Sequence, residues 1–127
     1  MKLKLPFYIH KVGAGFPSPA TDYIEDDVDL NSYLIKNPPA TFIIRVQGKS
    51  MNDVGIYDGD LLIVDRSINP KNLSTVIANV NEELVVKTFV KYKENNYLNS
   101  GKNKIELSEN PNVIIWGVVT YVIHKFH

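Results

Sequence analysis

Thr75-Val76-Ile77-Ala78-Asn79-Val80-Asn81-Glu82-Glu83-Leu84-Val85-Val86-Lys87-Thr88-Phe89-Val90 is the stretch that decides the fold. Two short β-branched runs, Thr75 to Val80 and Leu84 to Val90, are bounded by turn residues and read as strands. Upstream, Thr41-Phe42-Ile43-Ile44-Arg45-Val46 and Asp60-Leu61-Leu62-Ile63-Val64-Asp65 have the same texture. Downstream, Asn95-Asn96, Asn99-Ser100-Gly101 and Glu109-Asn110-Pro111-Asn112 punctuate the chain. Val113 to Ile123 then reads as one long or bent strand with Gly117 as a bulge. Closely spaced strands predict a mainly β protein: a small, partly closed antiparallel β-domain with one short helix and an extended N-terminal arm.

The helix is expected just after Asp22 to Asp29, where five acidic side chains precede Leu30, Tyr33 and Leu34 on one face. Acids in a first turn complement the helix dipole. Asn37-Pro38-Pro39 ends it, because neither proline continues a helix. The first twenty or so residues hold Pro6, Pro17 and Pro19, three lysines and no sustained period. They read as a mobile arm, so the chain divides into an arm over 1–27 and a β-rich domain over 28–127.

Composition narrows the function. The 127 residues carry 14 Lys+Arg against 14 Asp+Glu and no cysteine. That size suits one compact domain. The lack of cysteine excludes disulfide scaffolds, thiolate zinc sites and cysteine nucleophiles. Zero formal charge, with Arg45 and Arg66 the only arginines, argues against direct sequence-specific nucleic-acid binding. The apolar stretch after Lys4 is too short for a signal peptide, whose apolar region runs about 7–15 residues. Val113 to Ile123 falls short of the roughly 18 residues that span a bilayer. A cytoplasmic protein without membrane association is expected.

Chemistry concentrates in Gly48-Lys49-Ser50-Met51-Asn52-Asp53-Val54-Gly55-Ile56-Tyr57-Asp58-Gly59-Asp60, between two strands. One reading is a surface loop whose glycines supply positive φ and whose Ser50 caps a helical turn. The other makes Ser50 a nucleophile beside backbone N–H groups able to stabilise an oxyanion, which requires a base. His10 lies in the arm, and His124 and His127 lie at what reads as a frayed terminus, so histidine serves neither as base nor as metal ligand. No metal and no cofactor are expected. Lys87 is anomalous in a strand apolar on both faces. It reads either as an edge-strand lysine that blocks aggregation or as a desolvated amine, neutral enough to take the serine proton. Together Ser50 and Lys87 make a Ser-Lys dyad.

Gly48-Lys49-Ser50-Met51, then Gly55-Ile56-Tyr57-Asp58-Gly59-Asp60-Leu61-Leu62-Ile63-Val64-Asp65, then Val85-Val86-Lys87 thirty-seven residues after the serine, resemble the LexA/UmuD class of self-cleaving serine peptidases. Gly15-Phe16-Pro17-Ser18-Pro19-Ala20-Thr21-Asp22-Tyr23 and Asp29-Leu30-Asn31 resemble its UmuD branch, accessory subunits of error-prone translesion DNA polymerases. The resemblance implies that Ser50 is the nucleophile, Lys87 its general base, and the amides of Ser50 and Met51 the oxyanion hole. It places the scissile bond at Ala14-Gly15, thirty-six residues before Ser50, leaving a product of 113 residues. It further implies an SOS-response role, stimulation by RecA filaments on single-stranded DNA, a homodimer, and a polymerase partner. The sequence departs from the family pattern at Lys49, at Ser74-Thr75 and at Asn81-Glu82-Glu83, and its arm is short. Fourteen residues before the cut leave no room for a repressor's helix-turn-helix unit. The competing expectation is a non-catalytic dimeric polymerase-binding module with the same fold.

Overall fold

A computed structural model describes residues 4–8 and 24–127. Two compact units divide the chain, residues 1–36 and 37–127. In the first, strand β1 (Lys4–Tyr8) pairs antiparallel with β2 (Ile24–Asp29). The register slips between Leu5 and Phe7, at Pro6, which has no N–H to give a ladder. Helix α1 (Leu30–Leu34) follows directly, where the sequence places a short helix. Asp29 caps it, accepting from the Asn31 amide and the Ser32 hydroxyl at 3.2 and 3.0 Å. The acids before Asp29 are not in the helix's first turn, as the sequence suggested. Glu25, Asp26 and Asp27 belong to β2.

The second unit is one seven-stranded antiparallel sheet in the order β3-β4-β9-β5-β6-β7-β8. Its strands are β3 (Thr41–Arg45), β4 (Leu61–Asp65), β5 (Thr75–Val80), β6 (Glu83–Tyr92), β7 (Asn95–Ser100), β8 (Asn103–Glu106) and β9 (Ile114–Ile123). The mainly β, antiparallel expectation therefore holds, and β7 and β8 are additions to it. Asn95-Asn96 and Asn99-Ser100, read as punctuation, lie inside β7. The turns fall instead at Lys93, with φ 57°, and at Gly101, with φ 58°. At the β5–β6 hairpin, Asn81 and Glu82 both take positive φ, 52° and 67°, without a glycine to ease it.

The sheet is apolar on both faces. Val76, Ile77 and Ala78 are consecutive and all buried. Ile77 packs with Val46, Met51, Ile56, Leu62 and Val64, while Val76 and Ala78 pack on the other side with Phe89, Leu98 and Val118. Ile105 of β8 joins the second cluster beside its cross-strand partner Leu98 of β7, while β3 and β8 form the edges of the sheet. Alternation along each strand delivers the two sets of side chains.

Central strand β9 carries two irregularities. Its register skips Trp116 opposite β5 and Thr120 opposite β4. The bulge falls beside Gly117, which itself pairs with Ile77. The Trp116 carbonyl accepts from Arg66 Nε at 2.9 Å, and the guanidinium sits 4.4 Å from the indole ring. Gly117 serves close approach, because a Cβ there would lie 2.6 Å from Val64 Cγ1, on a fully buried, β-branched side chain with no room to yield. Gly117→Ala is expected to lower stability by about 1–3 kcal/mol in a denaturant titration. An unchanged midpoint would contradict the packing argument.

Candidate active site

Residues 46–60 link β3 to β4 and carry Ser50. The neck of this loop is closed by backbone bonds, the Val46 amide to the Asp60 carbonyl and the Gly59 amide to the Val46 carbonyl, both 2.8 Å. Gly48, at φ 100°, turns its amide onto Asp58 Oδ1 at 2.7 Å. A 3-10 turn over Asn52–Val54 follows, and Gly55, at φ 85°, ends it. Met51 and Ile56, 3% and 2% exposed, anchor the loop in the core. Ser50, next to the buried Met51, stays exposed.

Opposite the loop runs the first half of β6. β7 pairs only with Thr88 to Tyr92, so the side of residues 84–87 away from β5 has no strand partner among the described residues. Between loop and strand lies a cleft of about 170 Å³, with Gly48, Ser50 and Met51 on one wall and Val85, Val86 and Lys87 on the other. Lys87 is half-buried and pairs in register with the fully buried Val76. The two residues that the sequence singled out thus both line this cleft. Among the described residues, neither the Ser50 hydroxyl nor the Lys87 ammonium makes a hydrogen bond or ion pair. The amides of Ser50 and Met51 donate to no acceptor there either, although those of Asn52, Val54, Gly55 and Ile56 are all engaged. Ala14 and Gly15 lie outside the described residues.

One histidine was misplaced by the sequence reading. His124 is not frayed; its Nδ1 bonds to Oδ1 of Asp60, a carboxylate only 2% exposed. Asp60 Oδ2 accepts from the Tyr57 amide at 2.9 Å. The His124 bond, then the Tyr57 amide, hold the Asp60 carboxyl below the usual carboxylate range against the opposing effect of burial. Asp65 is held low as well, first by the Asn37 amide and then by Ser67. No sequence signal pairs residues 64 apart; only the antiparallel β4–β9 ladder, with Leu61 opposite Ile123, brings them together. Among the described residues no three His, Asp or Glu side chains gather as a metal site requires, and no helix is long and apolar enough to cross a membrane.

The lining of the cleft includes a serine on the loop and a lysine on a strand, and no histidine. Comparison with known proteins supplies the family. The chain belongs to the Peptidase S24-like family, whose pattern matches residues 6–120. It is 42% identical to the protein ImpA of Salmonella typhimurium over 94% of this chain and 83% of that protein. Identity to the protein MucA of Escherichia coli is 39%, over 92% of this chain and 82% of that protein. The LexA repressor of Photorhabdus laumondii matches at 41%, over 81% of this chain but 47% of the repressor. The resemblance to the LexA/UmuD class is therefore borne out.

Proposed function

We propose that this protein is a self-cleaving Ser-Lys endopeptidase of the SOS response, whose trimmed form serves as a subunit of an error-prone translesion DNA polymerase. The observation that carries the catalytic part is the cleft whose lining includes both Ser50 and Lys87, with the amides of Ser50 and Met51 unengaged among the described residues. In the reaction, the neutral Lys87 amine takes the Ser50 proton as Oγ attacks the Ala14 carbonyl carbon. The amides of Ser50 and Met51 receive the oxyanion. Collapse breaks the Ala14–Gly15 bond, the Gly15 nitrogen leaves with the proton from Lys87, and water then releases residues 1–14 from the serine ester.

The edge of β6 over residues 84–87, without a strand partner among the described residues, suits an extended peptide substrate, since its backbone groups can take one more strand. In this reading residues 1–27 form the arm that is cut, with Lys4–Tyr8 and part of Ile24–Asp29 paired as strands rather than extended as the sequence suggested, and 28–127 the peptidase-like domain. The biological part rests on likeness to ImpA and MucA: a cytoplasmic homodimer, stimulated by RecA filaments on single-stranded DNA, that joins a polymerase subunit. Incubation of the purified chain, with and without activated RecA filaments, is expected to yield a fragment that begins at Gly15 by mass spectrometry. A different new terminus would remove the bond assignment and leave the dyad standing. A chain that stays intact under both conditions would leave the non-catalytic polymerase-binding module in its place.

A further inference from the structure

We propose that His124 is a positioning residue for the self-cleaving site: its imidazole holds Asp60, and through Asp60 the neck of the loop that carries Ser50. The proposal rests on the peptidase reading of that loop. Asp60 is the point at which four constraints meet. Its carbonyl accepts from Val46, its amide donates to Tyr57, one carboxylate oxygen takes the Tyr57 amide and the other takes His124. Three of these are made within the loop and its neck. The fourth comes from the residue just beyond the end of β9, the strand that joins the two halves of the sheet.

A buried carboxylate with an unfilled oxygen is costly, and the chain around it shifts to find another donor or water. Any such shift acts on Asp60 and on Val46 bonded to it, four residues from the nucleophile and itself lining the cleft. With Asp60 ionised, Nδ1 of His124 carries the proton and donates. Its ring lies 5.6 Å from that of Tyr57 and edge-on to that of Phe126 at 5.1 Å, while 40% of the side chain stays exposed. His124 reaches the chemistry only through Asp60; it is not among the residues that line the cleft.

The test compares the full-length wild type with His124→Leu and His124→Asn. Asparagine places an amide nitrogen near the position of Nδ1 and keeps the donor; leucine fills similar space without one. At a temperature where circular dichroism shows all three fully folded, self-cleavage by His124→Leu is expected to fall about tenfold, the loss of about 1.4 kcal/mol of positioning. His124→Asn stays within about twofold of wild type, a rescue that packing of the ring alone does not explain. In an Asp60→Ala background, His124→Leu has no further effect, because the bond is already absent. Equal rates in His124→Leu and wild type overturn the proposal, and so does an equal loss in both His124 variants. If the wild type is itself no faster than Ser50→Ala, the peptidase reading fails, and this role fails with it.

Discussion

Ser50→Ala is expected to stop cleavage at Ala14-Gly15, with a loss of at least about a thousandfold, because alanine offers no atom to attack the carbonyl. Lys87→Met is expected to be equally inactive: it keeps an apolar stem in the cleft and removes the amine. Lys87→Arg separates two roles. A guanidinium retains the positive charge but stays protonated at any pH a protein survives, so it cannot act as base. If Lys87 only supplied charge or guarded the strand edge, arginine would preserve the rate. The measurement is the disappearance of full-length chain with time, beside melting curves. Both side chains lie outside the buried core, so melting temperatures are expected to change little. Arginine at 87 with wild-type cleavage would end the general-base assignment.

The rate is also expected to climb steeply with pH. A general base acts only in its deprotonated form, so a reaction limited by one such group gains about tenfold per pH unit until that group is fully deprotonated. A plot of log rate against pH then has a slope near one before it levels off. Acid acts on the fold rather than on the dyad. Asp60 and Asp65 have folded values below the ordinary 3.8, so the folded state binds fewer protons there than the unfolded chain. Their stabilisation is in place above 3.8 and is lost as pH falls through the lowered values. The melting temperature is thus expected to drop at strongly acid pH while the cleavage rate grows on the alkaline side. A flat alkaline profile would mean that no single deprotonation limits the reaction.

The legible parts of the molecule were those where local chemistry and tertiary structure agree. β3, β4, β5, β6 and β9 are dense in Val, Ile and Leu, and their burial in the sheet follows the same residues. Ser50 and Lys87, both of which line the cleft, draw notice in the sequence because a serine among glycines and a lysine among β-branched residues are locally out of place. β7 was hidden because Asn95, Asn96, Asn99 and Ser100 look like turn formers; Leu98, fully buried, anchors the strand and pairing with β6 supplies the rest. The β1–β2 pairing was hidden by Pro6, and the Asp60–His124 bond by a separation that only the sheet closes.

The strand order sets a schedule for biosynthesis. β4 and β5 never touch as partners; β9 lies between them, so the half that bears Ser50 and the half that bears Lys87 are joined by the strand made after both. On the ribosome, Ser50 and Lys87 emerge well before β9, and during that interval the two halves of the sheet are not yet joined. Under the proposed function, self-cleavage therefore waits for the last strand of the sheet and needs no separate inhibitor on the nascent chain.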